Sequence, residues 1–445
     1  MDILCDVIAL DARGHGALAT PTPVGWILPT VRTHDAARIT DDVRHLVERA
    51  GIDCVVVHEA WLPVGAGEKP DPRRYCVVVA ASDAAAGAKG PVQWIDLDSL
   101  LTSRPAFPAQ LQGLRLCLDR MRHPVAPFDQ QTSTEASRRW IDEALEQCGR
   151  ARSGPIRLLG CDRFYRVAEV PTHAGPVFFK GGDPSVLAEA RMTALVADVA
   201  PGHAARTLAI DPRGWWLMDG LAGQSLAAGC QKQDVLVALT TLATIQRRLA
   251  FDPSAELTLG PPVRLDNLCA AVDLTLEEFA PTASVATAVR HNCDLLKAAL
   301  DSCQQIPLTW VHGDLAPANV LSFQGRIAFI DLNASIRGCP LLPLWRLLNA
   351  LKTQGVLRDQ DLNDCRDAYE MPWREAGINS SRQLWPILRE LGILLRIWTS
   401  REMLRLWAAY ESNTYGIAMK RENLLRLVSA LGTESLAGVA IDAAH

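Results

Sequence analysis

The chain has 445 residues, 49% of them hydrophobic, and its 45 Lys and Arg against 50 Asp and Glu give a net charge of −5. That length implies about two or three domains with cores of their own. The lack of a Lys/Arg block argues against nucleic acid as a partner, and no uncharged apolar run approaches the roughly 20 residues of a membrane helix. The start, MDILCDVIALDARG, carries three Asp and an Arg and does not read as a signal peptide. The 12 cysteines are scattered singly with no CxxC pair. That usage fits reduced thiols in the cytoplasm, not a disulfide framework or a structural zinc site.

In chain order, β-branched runs predict strands over Ile3–Leu10, Asp53–Ala60 and Tyr75–Ala81. Between the first two, Ile39, Val43, Leu46, Val47 and Ala50 form one face of a helix. The segment HPVAPFDQQTST (His123–Thr134) is polar, holds two prolines and lacks periodicity. It marks a linker, so that 1–125 forms an N-terminal domain and 126–135 the connection. TEASRRWIDEALEQCG then reads as a helix closed by Gly149. Strands follow over Ile156–Gly160, Phe164–Val170 and Pro176–Gly182, then a helix over SVLAEARMTALVADVA and a strand over Gly214–Leu221. The remainder predicts helices, among them Val235–Leu249, Val285–Leu300, Leu341–Leu351 and Arg382–Tyr410, and it places Trp345, Trp385, Trp398 and Trp407 in the core. The exception is Thr309–Asp331, where two short apolar runs flank loops. A sheet-rich segment, 136–218, thus precedes a helix-rich one, 219–445, the layout of a two-lobed enzyme with a cleft.

The chemistry concentrates in VHGDLAPANVL (Val311–Leu321) and FIDLNASIRGCP (Phe329–Pro340). Asp314 and Asn319 stand on one short loop and can turn toward one ion or substrate. Asp331 ends the apolar run RIAFID, where its carboxylate leaves the core. Lys180 ends the apolar run VFFK, a place for a cation that faces anions. Phosphoryl transfer needs little covalent help beyond such groups: a carboxylate for the attacking hydroxyl, oxygen ligands for Mg²⁺ and a cation for the nucleotide phosphates.

HGDLxxxN followed by an Asp after a hairpin resembles the catalytic loop and metal-binding Asp of the protein kinase fold, in the aminoglycoside phosphotransferase-like branch that phosphorylates small molecules. The resemblance implies an α+β, two-lobed protein-kinase-like fold with a β-rich lobe over 136–218 and a helical lobe over 219–445. It implies ATP and Mg²⁺ as cofactors and a small-molecule hydroxyl as substrate. Asp314 would orient or deprotonate that hydroxyl, and Asn319 and Asp331 would hold Mg²⁺. Lys180 would contact the nucleotide phosphates and Glu189, in EARMTAL, would hold Lys180. LMDGLAGQSL (Leu217–Leu226) resembles the hinge that binds adenine, which makes Met218, Asp219 and Leu221 nucleotide-binding, and His312 would brace the catalytic loop. The alternative is a nucleotide-binding pseudokinase or docking module. A protein kinase is disfavoured, since HGD stands for HRD and neither DFG nor APE is present.

The chain departs from the family pattern where Asn333 follows the metal Asp, where Pro343 replaces an Asp that buttresses the loop, and where the turn GCDRFYRV has one Gly. The acceptor stays open. Acids in Asp252–Ala280 (Asp266, Asp273, Glu277, Glu278) suit a cationic molecule, whereas the Arg-rich stretch Arg382–Arg405 points the other way.

The first domain is similar to Nudix hydrolases over GWILPTVR…VRHLVERAGID (Gly25–Asp53) and VQWIDLDSL (Val92–Leu100). The metal-binding RExxEExG motif becomes RHLVERAG, with His45 and Arg49 in place of two acids and only Glu48 left. LPTV stands where LPGG is usual. Since Mg²⁺ that activates water needs several hard anionic ligands, a smaller α/β Nudix-like domain without hydrolase activity is expected.

Overall fold

A computed structural model describes residues 3–10, 16–22, 25–33, 43, 46, 54–63, 70–81, 93–96, 100, 134–154, 156–161, 165–182, 186–279, 282–302, 306–378, 380–408 and 414–432. Contacts divide the chain into two units, Met1–Pro184 with Asp211–Leu217, and Ser185–Ile210 with Met218–His445.

The first unit opens with β1 (Ile3–Leu10), β2 (Gly16–Thr22), β3 (Gly25–Ile27), β4 (Thr30–Thr33), β5 (Cys54–Pro63), β6 (Pro70–Ala81) and β7 (Gln93–Asp96). They build one sheet along the path β3-β2-β1-β6-β5, with β4 on β1 and β7 on β2. β1 runs parallel to β6 from Leu4↔Arg74 to Leu10↔Ala80. Val7 and Ala9, two apart on β1, are both buried, as the period of a strand requires. The expected strands fall in β1, β5 and β6, apart from Asp53, which lies outside the described residues. β2, GALATPT, carries little intrinsic strand preference and is held by its pairing with β1 and β7. His45, Glu48 and Arg49, on which the Nudix comparison turns, lie outside the described residues, as do Ile39, Val47 and Ala50 and residues 126–133 of the linker.

Helix α1 (Thr134–Gln147) follows, then β8 (Arg157–Cys161), β9 (Tyr165–Val170), β10 (Val177–Gly182), β11 (Thr207–Asp211) and β12 (Trp215–Asp219). Within this unit the sheet has the order β12-β10-β9-β8, and residues 207–210 of β11 are counted with the second unit. α1 lays Trp140 edge-on to Trp215, ring centroids 5.8 Å apart, and against Phe179 at 6.1 Å. Aromatic pairs in this geometry add to the gain from burial. β9 and β10 pair in register from Val177↔Val170 to Gly182↔Tyr165, which sets Lys180 opposite Val167.

The second unit is mainly helical: α2 (Val186–Val199), α3 (Lys232–Ala250), α4 (Pro253–Leu259), α5 (Leu265–Phe279), α6 (Ala283–Ser302), α7 (Leu344–Thr353), α8 (Leu362–Glu375), α9 (Leu388–Ala408) and α10 (Thr414–Gly432). The long helix expected from Arg382 is two elements. A 3₁₀ segment, Ser380–Ile387, contains Pro386 and gives way to α9 at Leu388. A proline has no N–H for the α-helical ladder and crowds the preceding turn. Trp345, Trp385 and Trp398 pack against the core; the side chain of Trp407 lies outside the described set. Among the described residues no helix is long and apolar enough to cross a membrane.

α3 organises this unit. Val235, Ala238, Leu239, Leu242, Ala243, Ile245, Gln246 and Leu249 form its buried stripe. Its start is closed by a capping box in which the Gln231 N–H donates to Asp234 Oδ2 at 2.9 Å. Gln246 stands where the stripe calls for an apolar residue, and it is fully buried. Its Nε2 donates to the carbonyls of Trp310 and Pro340, both at 3.0 Å, and its Oε1 accepts from the Tyr369 hydroxyl at 2.7 Å. One amide therefore ties three separate segments. A Gln246→Leu change takes this donor from the Trp310 carbonyl, while the Pro340 carbonyl keeps the Tyr369 hydroxyl at 3.0 Å; an unsatisfied buried group costs about 1–3 kcal/mol. Chemical denaturation of this variant is expected to show a loss of about 1–3 kcal/mol, larger than that of Gln246→Asn at the same site.

Candidate active site

Two small pairings frame the expected site within the second unit. β14 (Thr309–Val311) pairs antiparallel with β17 (Ile336–Gly338), and β15 (Val320–Phe323) with β16 (Arg326–Phe329). β15 and β16 are joined by Gln324 and Gly325, both at positive φ, 50° and 76°. That is the two-residue turn whose twist suits a hairpin. The loop after β14 carries His312, Asp314 and Asn319; the loop after β16 carries Asp331.

Ile330 locks these loops together. Its N–H donates to the Asn319 carbonyl at 3.1 Å, and its carbonyl accepts from His312 Nε2 at 3.0 Å. The His312 ring is fully buried, with Trp310 and Phe329 at centroid distances of 5.9 and 6.4 Å. Burial pushes its pKa down to about 4, against the upward pull of the Ile330 bond and the Asp331 charge. The ring is neutral, with its proton on the nitrogen that faces Ile330.

The next residue, Asp331, sits in the left-handed region at φ 59°, ψ 58°. Such a conformation costs a non-glycine residue about 1–2 kcal/mol and persists only where its surroundings impose it. The two bonds on Ile330 do so. Gly313 answers to the same geometry: a Cβ there would run into the carbonyl of Ala334, just past Asp331. Glycine between His312 and Asp314 is the residue that lets the two loops close on each other.

Asn319 lies in the 3₁₀ turn Pro317–Asn319, and its Nδ2 donates to the Asp314 carbonyl at 2.9 Å. Only the amide nitrogen can make that bond, so Oδ1 points the other way as a hard donor. Among the described residues there is no cluster of three or more His, Cys, Asp or Glu fit to hold a metal. The pair assigned to the metal, Asp331 and Asn319, is one carboxylate and one amide. It fits Mg²⁺, which keeps several waters and takes its other oxygens from phosphates.

The Asp314 carboxylate pairs with the guanidinium of Arg346, on α7. Arg346 is itself half-buried. Burial, and secondarily the like charge of Arg396 on α9, pull its pKa down to about 10. The sequence reading missed Arg346, Arg396 and Gln246. The available signal was a lone polar residue in an apolar helix, as in LLPLWRLL and LATIQRRL. Pro343, in place of the buttressing Asp, is the N-cap of α7, and Asn333 is exposed.

The other expected site residues are distributed over both units. Lys180, in the first, is 6% exposed, and Glu189 on α2, in the second, is 4% exposed. Gly181, beside the lysine, is packed so tightly against Phe179 and Trp215 that a Cβ has no room. Met218, Asp219 and Leu221 are half-buried at the start of the second unit's main segment. Asp219 is engaged twice by Arg206. Its Oδ2 accepts from Arg206 Nε at 2.8 Å, and its N–H donates to the Arg206 carbonyl at 2.9 Å.

Residues 177–391 match the model of the phosphotransferase enzyme family. No curated protein matches the sequence. Among solved structures, a choline/ethanolamine kinase family protein from Mesorhizobium loti aligns at 16% identity over 70% of this chain and 99% of its own, TM-score 0.49. A macrolide 2′-phosphotransferase type I aligns at 17% identity over 66% and 97%, TM-score 0.45. An amicoumacin kinase in complex with AMP-PNP and Ca²⁺ aligns at 13% identity over 68% and 96%, TM-score 0.44.

A Gly313→Ala change forces the two loops apart at Ala334. It is expected to lower the stability of the second unit by about 1–3 kcal/mol and to reduce turnover beyond what that loss explains. Activity assayed well below the melting temperature of the variant measures the difference.

Proposed function

We propose that this chain, whose residues 177–391 match the model of the phosphotransferase enzyme family, transfers the terminal phosphoryl group of ATP to a hydroxyl of a small molecule. What supports the reading most is one arrangement inside the matched segment: Asp314 and Asn319 on one loop, tied through Ile330 to the loop of Asp331. In the transfer the bond from the γ-phosphorus to the β–γ bridging oxygen breaks and a bond to the acceptor oxygen forms. The hydroxyl proton passes to the Asp314 carboxylate, and ADP leaves. Positioning and charge stabilisation supply most of the acceleration in this class of reaction.

Asn319 Oδ1 and the Asp331 carboxylate would hold Mg²⁺, which when bound neutralises charge on the phosphates. The strained backbone of Asp331 fits a ligand fixed in advance. Lys180 is the cation assigned to the nucleotide phosphates and Glu189 its carboxylate partner. Met218, Asp219 and Leu221 are assigned to the adenine. The bond from the Asp219 N–H to Arg206 limits that residue's backbone contribution to its carbonyl. His312 braces the loop and takes no part in proton transfer, since its protonated nitrogen is committed to Ile330. Residues 1–125 form a domain without hydrolase activity, joined through 126–135. Cys148, Cys230, Cys269, Cys293, Cys339 and Cys365 are free thiols, which suits a cytoplasmic setting.

Two substitutions test the assignment. Asp314→Asn is expected to lower kcat by about 10²–10⁴-fold, the usual worth of a positioned base, while ATP still binds; more than a tenth of the wild-type kcat would contradict the role. Asp331→Ala is expected to abolish the Mg²⁺ dependence of ATP binding. Titration calorimetry with and without the ion reads this directly, and an unchanged Mg·ATP affinity would sink the metal assignment.

A further inference from the structure

The acceptor side of this site carries more positive charge than one carboxylate balances. In the sequence, acids over Asp252–Ala280 and arginines over Arg382–Arg405 pulled the substrate reading in opposite directions. The structure sorts them. Asp266 pairs with Lys297 at 3.0 Å, Asp273 with Arg290 at 3.3 Å, and Glu278 with both Arg401 and Arg421 at 3.0 Å. The acidic stretch is largely neutralised within the fold. Of the arginines, Arg389 is matched by Glu390, Arg401 by Glu278 and Arg405 by Glu402. Arg396 makes no ion pair among the described residues, although it is half-buried.

The packing of α7 on α9 shows where that charge goes. Gly392 on α9 lies so close to α7 that a Cβ would come within 2.7 Å of Trp345 Cβ. Arg396 is one helical turn beyond Gly392 on the same face, and Arg346 follows Trp345. The glycine contact brings together the helix segments that carry the two arginines, and the charge of Arg396 is felt at Arg346. Arg346 in turn reaches Asp314. Arg346 alone is paired with this carboxylate, the group assigned to the acceptor hydroxyl, and Arg396 has no anion among the described residues. Partly desolvated guanidiniums without a matching anion are unfavourable in isolation, and planar forks suit carboxylate and phosphate oxygens.

We propose that the acceptor is an anionic hydroxyl compound, bearing a carboxylate or phosphate that Arg346 and Arg396 bind while Asp314 takes its hydroxyl. This rests on the phosphotransferase reading above. In the absence of the acceptor, Arg346 turns to Asp314; the anion of the acceptor replaces Asp314 as its partner and frees the carboxylate for the hydroxyl.

The test uses the full chain with Mg²⁺ and AMP-PNP for binding, and with Mg·ATP for ADP formation. The probes are one scaffold in four charge states: gluconate, glucose 6-phosphate, glucose and glucosamine. At least one of the two anions is expected to bind the nucleotide complex more tightly than glucose, and glucosamine least. Which anion is preferred separates carboxylate from phosphate. In Arg396→Gln the Kd or KM of the preferred anion should rise about thirtyfold or more, as for truncation of one partner of a charge pair. That of glucose and of AMP-PNP should be unchanged. Arg396→Lys should recover part of the loss, and the AMP-PNP affinity and melting temperature of each variant check that it is folded. The proposal is overturned if glucose or glucosamine is preferred, if no anion binds better than glucose, or if Arg396→Gln weakens all four probes alike. In each case the phosphotransferase reading is judged separately, by ADP formation from Mg·ATP with the neutral or cationic probe. Failure to bind AMP-PNP at all would overturn both.

Discussion

Everything at the candidate site depends on the two hydrogen bonds made by the backbone of Ile330. One comes from a buried neutral imidazole and the other goes to the peptide carbonyl of Asn319. Together they fix the strand end that delivers Asp331 in a conformation it would not adopt unaided. A protonated imidazole in this apolar setting would be expensive, and a side chain without a ring N–H would leave the carbonyl bare. The loop chemistry thus requires a histidine that stays uncharged, held between two aromatic rings.

Behind the loops lies a second, drier layer of polar order. Gln246 and Tyr369 bind each other and share the Pro340 carbonyl, and Trp310 Nε1 donates to Ser335 Oγ at 3.0 Å. These groups join α3 and α8 to the strands on both sides of the site. Networks of this kind stabilise only if nearly every member is satisfied, and they favour one arrangement over its near alternatives. Position 343, where the resemblance implies an acid, is proline, yet the loop is anchored from this layer and from Asn319.

The sequence exposed those parts of the fold that periodicity or a fixed spacing encodes. The stripe of α3 and the β-branched run of β1 were legible, as were the residues of HGDLAPAN. The 3₁₀ segment before α9 was not, because an apolar pattern continues through Pro386 and only the missing N–H shows where the α-helix begins. β2 was invisible because its strand character comes from neighbours distant in sequence. Arg346 and Arg396 were hidden for another reason. Periodicity reports which face of a helix is buried, whereas their significance lies in the charge around them: Asp314 is the one carboxylate paired with Arg346, and Arg396 has none among the described residues. That is visible only once α7 and α9 are packed. Several of the acids that suggested a cationic substrate lost that meaning when their partners appeared.

The segment after Met218 is stitched to the same framework. β13 (Gln224–Ser225) pairs with β15 at Gln224↔Ser322 and Ser225↔Leu321, and Gly223 (φ 125°) would bring a Cβ within 2.8 Å of the Ser322 carbonyl. β15 begins at Val320, directly after Asn319. The number of residues between Leu221 and Gln224 is therefore constrained. Adding or deleting one would slip the ladder by a residue and turn each side chain of β13 to the opposite face. The chain there can tolerate exchange of side chains far more readily than a change of length, and an insertion would be felt at Asn319 before it was felt at any residue next to it.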